Sequence, residues 1–144
     1  MGANVCFLVG RNDRACPLSW SAGKIKRVVR STLSAEMLSL QEGIDNALYL
    51  REMIREMIGL DEKSLPIVAY VDNKSVIQAL NSTKMVDDRR LRIDVASIKE
   101  SMENNEISDI RWIRGENQIA NCMTKRGASP YSLLNIVVNG KIVF

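Results

Sequence analysis

The hydrophobic period changes several times along the chain, and each change marks an element. NVCFLVG (4–10) is a short apolar run of strand type, RNDRACP is rich in turn residues, and LSW opens a second strand running toward Ile25, so a β-hairpin is predicted. From Ser31 the period lengthens. Leu33, Met37, Leu40, Ile44, Ala47, Ile54 and Ile58 recur at three- and four-residue steps, predicting a long amphipathic helix that ends near Gly59 and is capped by Ser31 or Thr32. Pro66 precedes a buried strand, IVAYV, which stops at Asp72, and a short helix follows through Leu80. Leu91, Val95, Ile98 and Met102 predict another amphipathic helix over 89–104, with Asp87 or Asp88 as its cap in the solvated stretch VDDRRLR. ISDIRWI (107–113) reads as the next strand. GEN introduces a final helix, with Asn117 as cap and Ile119, Cys122 and Met123 facing inward. The tail NIVVNGKIVF sets Asn139-Gly140 between two apolar runs, a strong hairpin signal.

Strands alternating with helices, without repeats, low-complexity tracts or a linker, predict one α/β domain over 1–144, with 130–144 as a C-terminal extension or hairpin. At 144 residues and 46% hydrophobic composition the chain is large enough to bury a core. No stretch approaches the roughly 20 apolar residues of a membrane span, and MGANVCFLVGRND turns polar too soon for a secretory signal. The expected setting is therefore the cytoplasm or nucleus, with no membrane partner. There is no histidine, which removes Ser-His and Cys-His catalysis and histidine-containing zinc sites. Cys6, Cys16 and Cys122 lack CxxC spacing and are expected as reduced, buried thiols. Chemistry is left to carboxylates, lysine or a metal.

Charge is unevenly spread. Residues 1–30 carry six basic groups against Asp13, a balance of +5, whereas residues 31–62 carry seven acids against Arg51 and Arg55, a balance of −5. The asymmetry fits a polyanion-binding edge beside an acidic body, and an ordinary solvated surface gives the same count. Trp20 and Trp112 offer base-stacking surfaces, but their apolar strand contexts place both in the core.

Asp72 has two readings. Between a strand and a helix it serves as an N-cap, accepting a first-turn N–H. At the C-terminal end of a buried strand it also stands where α/β sheets place reactive groups. Glu36 is the second acid to consider: it lies on the helix face of Leu40, Gly43 and Ala47, partly inward, and equally suits a first-turn acid favoured by the helix dipole.

The blocks VVRSTLSAEMLSLQEGIDNALYLREMI, VAYVDNKSVIQALNSTK and RLRIDVASIKESMENNEISDIRWIRGENQIANCMTKRGAS resemble, in order, the ribonuclease H domain of copia-type LTR retrotransposon polyproteins. The resemblance spans residues 4 to 130. It implies a ribonuclease H-like mixed sheet flanked by helices and a hydrolase that cuts the RNA strand of RNA:DNA hybrids with two Mg²⁺ or Mn²⁺ ions about 4 Å apart. Family members hold these ions with four acids. Glu36 matches the second and Asp72 the third; both are expected catalytic and metal-binding residues. Asn121, in QIANCMTK, stands where the family has its fourth aspartate, and its neutral amide withholds the charge a divalent ion needs. The first acid lies on the family's central first strand, ahead of NVCFLVG, and the chain is expected to lack that strand. Two sheet edges are then left open, to be filled by an upstream strand, by a second copy of this chain, or by the C-terminal hairpin.

Lys24, Lys26, Arg27, Arg30 and Lys74 are the expected phosphate contacts. The functional expectation is a retroelement ribonuclease H-like domain with impaired or absent cleavage, its partners an RNA:DNA hybrid and an upstream reverse transcriptase domain. The alternative is a degenerate module that binds nucleic acid or protein.

Overall fold

A computed structural model describes residues 1–61 and 63–142. Gly2–Val9 (β1) and Ala15–Gly23 (β2) pair antiparallel from Gly2 opposite Gly23 to Val9 opposite Ala15, with an irregularity between Cys6 and Phe7. The turn between them is a single 3-10 turn, Arg11–Asp13, in which Asn12 and Asp13 adopt φ of 57° and 59°, a left-handed conformation that Asn and Asp tolerate better than most residues.

The long helix α1 spans Thr32–Ile58. Ser31 caps it, its Oγ accepting the Ser34 N–H at 3.1 Å. Gly59 ends it at φ 67° and donates its N–H to the Arg55 carbonyl, in a left-handed geometry that glycine takes without a Cβ penalty. Met37, Leu40 and Ile44 form its buried stripe.

That stripe packs with Val71 of strand β3 (Val68–Val71), Val76 and Leu80 of helix α2 (Lys74–Asn81), Leu91, Val95 and Ile98 of helix α3 (Arg89–Glu103), and Ile110 of strand β4 (Asp109–Trp112). Each fully buried aliphatic side chain contributes about 1.5–3 kcal/mol, so this one cluster holds α1, β3, α2, α3 and β4 together. Asp88 caps α3, accepting the N–H groups of Arg90 and Leu91. The hairpin attaches to α1 differently, through close and polar contacts. A Cβ on Gly43 would lie 3.4 Å from Asn4 Cβ, and Asn46 Nδ2 donates to Ser19 Oγ at 3.0 Å and Cys6 Sγ at 3.6 Å.

The architecture is mixed α/β, with two separate two-stranded sheets: antiparallel β1–β2 and parallel β3–β4. Among the described residues no strand lies between β1 and β3. The space is bridged instead by the segment expected to be the final helix. It forms two 3-10 turns, Gly115–Asn117 and Ile119–Met123, and Asn117 caps nothing with its side chain. Ile119–Met123 packs against β1, while Gln118 Nε2 donates to the Tyr70 carbonyl of β3 at 3.1 Å.

The expected C-terminal hairpin is replaced by a helix, α4 (Tyr131–Asn139). Gly140, at φ 64°, is its left-handed C-cap and donates to the Ile136 carbonyl, so Asn139-Gly140 ends a helix where a two-residue turn was expected. The Ala15 N–H then donates to the Gly140 carbonyl and the Ile142 N–H to the Asp13 carbonyl, fastening the tail to the start of β2. Ala15, Ile136 and Ile142 bury one another there, with Phe7 and Ile119 packed against them. Val143 and Phe144 of the expected hairpin lie outside the described residues.

Neither tryptophan is in the core. Trp20 is 67% exposed because the last four residues of β2 all lie uncovered, and Trp112 is 40% exposed at the end of β4. Cys16 is exposed, and Cys6 and Cys122 are half-buried; all three are free thiols. Among the described residues no helix is long and apolar enough to cross a membrane.

Candidate functional site

Three chain segments meet at the C-terminal end of β3. The strand ends at Val71, and Asp72 follows it directly. Capping of α2 falls one residue later: Asn73 Oδ1 accepts the Ser75 N–H at 2.9 Å, which frees the Asp72 carboxylate from that duty. The Asp72 backbone carbonyl is held by Trp112 Nε1 at 3.1 Å, tying this corner to the end of β4. Its side chain is only 17% exposed.

Glu36 arrives from the first turns of α1, half-buried. Burial first, and the negative charge of Asp72 second, push its carboxyl above the usual glutamate range, while Lys125 partly opposes them. The third segment is the 3-10 stretch. Asn121 Nδ2 donates to Asp72 Oδ2 at 3.1 Å and to the Gly115 carbonyl at 2.8 Å, and Lys125 Nζ stands 3.9 Å from the same Asp72 oxygen. Asp72 and Asn121, far apart in sequence, are thus in direct contact, with Lys125 beside them and Glu36 within electrostatic reach of Asp72 and Lys125.

The orientation of Asn121 is fixed by chemistry. Turning its amide over would set its oxygen against a carbonyl and a carboxylate, two acceptors facing a third. Asn121 therefore turns a donor, not a metal ligand, toward Asp72. Among the described residues no third acid, cysteine or histidine joins Glu36 and Asp72 in a metal-binding group. Divalent Mg²⁺ and Mn²⁺ require several oxygen donors, preferably charged. Two carboxylates, one of them already engaged by an amide N–H and approached by an ammonium, do not fit the pair of ions that the sequence resemblance implies.

The basic residues fall into two groups. Lys24, Lys26 and Arg30 are exposed, as a phosphate-contacting role requires. Arg27 is not free for that role: both terminal nitrogens of its guanidinium bind the two carboxylate oxygens of Asp94. The reason lies in α3, where Asp94 sits on the buried stripe beside Leu91, Val95 and Ile98, and a buried carboxylate demands a cation. Arg27 and Arg30 flank a cleft of about 220 Å³ between residues 27–30, Ser34 and the start of α3, where Arg89 and Arg90 add two more exposed guanidinium groups. Lys74, also exposed, lies with its ammonium 4.6 Å from the centre of the Trp112 ring, a cation–π contact next to Asp72.

Sequence reasoning missed Lys125, Arg89 and Arg90. Lys125 was visible as the last residue of QIANCMTK, and the two arginines belong to VDDRRLR, which reads as a solvated helix start. No family model, no curated protein and no solved structure matches the chain.

Proposed function

We propose that this chain is a ribonuclease H-like module of retroelement type that binds nucleic acid, RNA:DNA hybrids in particular, and that does not cut the RNA strand in the form given by these residues. The observation that carries the reading is the hydrogen bond between Asn121 and Asp72 at the end of β3, with Glu36 in electrostatic reach of Asp72, three positions that the sequence resemblance singles out. Among the described residues no third acid joins Glu36 and Asp72 in a metal-binding group, while exposed cations lie beside Asp72 and at the cleft between residues 27–30 and α3. Lys74 and Lys125 adjoin Asp72, and Lys24, Lys26, Arg30, Arg89 and Arg90 supply further positive charge around the start of α1 and α3. Such groups attract phosphates without reading sequence, by releasing condensed counterions.

An end-labelled RNA:DNA hybrid tests both halves of the proposal. Retarded migration that weakens as salt rises, with no cleavage in Mg²⁺ or Mn²⁺, is the expected result. Replacing Lys24, Lys26 and Arg30 by Ala should reduce the slope of log affinity against log salt by about 0.9 for each phosphate that is no longer neutralised. Metal-dependent cutting that disappears in both Glu36→Ala and Asp72→Ala would sink the non-cleaving half, and absence of hybrid binding at low salt would sink the other.

The two separate sheets favour a second reading, in which a strand from an upstream segment or a second copy joins β1 to β3 and builds a more complete site. Light scattering that finds only a stably folded monomer removes the second copy, and an upstream segment that leaves exchange of the β1 and β3 amides unchanged removes strand donation.

A further inference from the structure

We infer that Lys125 and Asn121 are built-in counter-groups for Asp72, which close the carboxylate pair Glu36/Asp72 to divalent metal and leave this face a metal-independent contact for nucleic acid. The last clause rests on the function proposed above; the first stands on the distances of Asn121 and Lys125 to Asp72.

Both groups act on one atom. Asn121 Nδ2 lies 3.1 Å and Lys125 Nζ 3.9 Å from Asp72 Oδ2, so a hydrogen-bond donor and a full positive charge converge on an oxygen that a cation would have to share. The Gly115 carbonyl, 2.8 Å from Nδ2, holds the amide in its donating orientation. A divalent ion entering beside Asp72 would meet the N–H face of Asn121 and repulsion from Lys125, and among the described residues no group of three or more acids, cysteines or histidines is there to hold it. Lys125 is 63% exposed, so its ammonium stays hydrated while it neutralises the site, and a phosphate can approach it from solvent without displacing it from Asp72.

Titration of the full chain with Mn²⁺ alone, followed by calorimetry and by thermal unfolding, tests the closure without any nucleic acid. The unaltered chain is expected to show no saturable heat and no rise in Tm. The double variant Asn121→Asp/Lys125→Gln is expected to bind Mn²⁺ and to gain several degrees in Tm at metal concentrations about 100 times its Kd. Saturable uptake by the unaltered chain that is lost in Asp72→Asn overturns the inference, and so does a folded double variant that takes up no metal. Titration of the unaltered chain decides the closure even if the double variant does not fold. Hybrid affinity measured in excess chelator and in Mg²⁺ tests the second part: values within about twofold are expected, and a loss of about tenfold or more in chelator overturns metal independence. Failure to bind hybrid in either solution would reject the proposed function, while the Mn²⁺ titration would still decide the closure of the carboxylate pair.

Discussion

Asn121 and Asp72, 49 residues apart, are joined by a hydrogen bond of 3.1 Å that the amide donates and the carboxylate accepts. The bond fixes the 3-10 segment to the end of β3 and compensates a charge that is mostly withdrawn from solvent. Replacing Asn121 by Asp sets two carboxylates against each other and against the Gly115 carbonyl. At neutral pH this variant should lose about 1–3 kcal/mol, and the loss should shrink on acidification as one of the two carboxyls takes up a proton. Urea unfolding across the acid range checks this; a deficit independent of pH would contradict it.

Glu36 makes a pH prediction of its own. Its carboxyl, raised by burial and by Asp72, holds its proton more tightly when folded than when unfolded. Its contribution is therefore fully present below the unfolded value near 4.5 and is lost as pH rises through the folded value. Glu36→Gln should remove that slope, leaving the variant more stable than the unaltered chain at neutral pH and no better in acid. Unfolding midpoints measured in both conditions decide the matter, and a variant that is weaker at neutral pH would refute it.

The Arg27–Asp94 pair fastens the stretch before α1 to the buried face of α3. Arg27→Ala leaves a carboxylate uncompensated inside the protein and should cost about 2 kcal/mol, with part of it recovered when Asp94→Asn is added. A double-mutant cycle by chemical denaturation measures the coupling. Purely additive losses would mean that the two groups contribute independently.

Met37 and Ile98, both 0% exposed, meet in the core cluster that also contains Val71. Met37→Ala and Ile98→Ala should each cost about 2–5 kcal/mol through lost transfer energy and the cavity left behind. Because that cluster supports the end of β3, hybrid binding by either variant should fall with the folded fraction; thermal unfolding and binding followed on the same samples check the correspondence.

What the sequence determined by itself is local. The periods of three and four residues placed α1 and α3, the apolar run before Asp72 placed β3, and Ser31, Asp88 and Gly59 end their helices as their side chains or missing Cβ dictate. Each of these choices is settled within a few residues, by capping geometry or by one face of a helix. The pairing of Asp94 with Arg27 was not legible, because Arg27 lies 67 residues away and reads as a phosphate contact.

Only the tertiary structure decided the rest. Asn139-Gly140 suits a hairpin turn and a helix C-cap equally, because both require a left-handed residue; burial of Ile136 and Ile142 against Ala15 selected the helix. Residues 119–123 carry a helical pattern, yet contacts with β1 and Asp72 hold them in a 3-10 turn. Trp20 lies in an apolar run, but what covers a strand is contributed by distant segments, and nothing among the described residues covers the end of β2. Lys125 became part of the site for the same reason: its separation from Asp72 along the chain carries no information about the 3.9 Å between their charged atoms, which the packing of three segments alone sets.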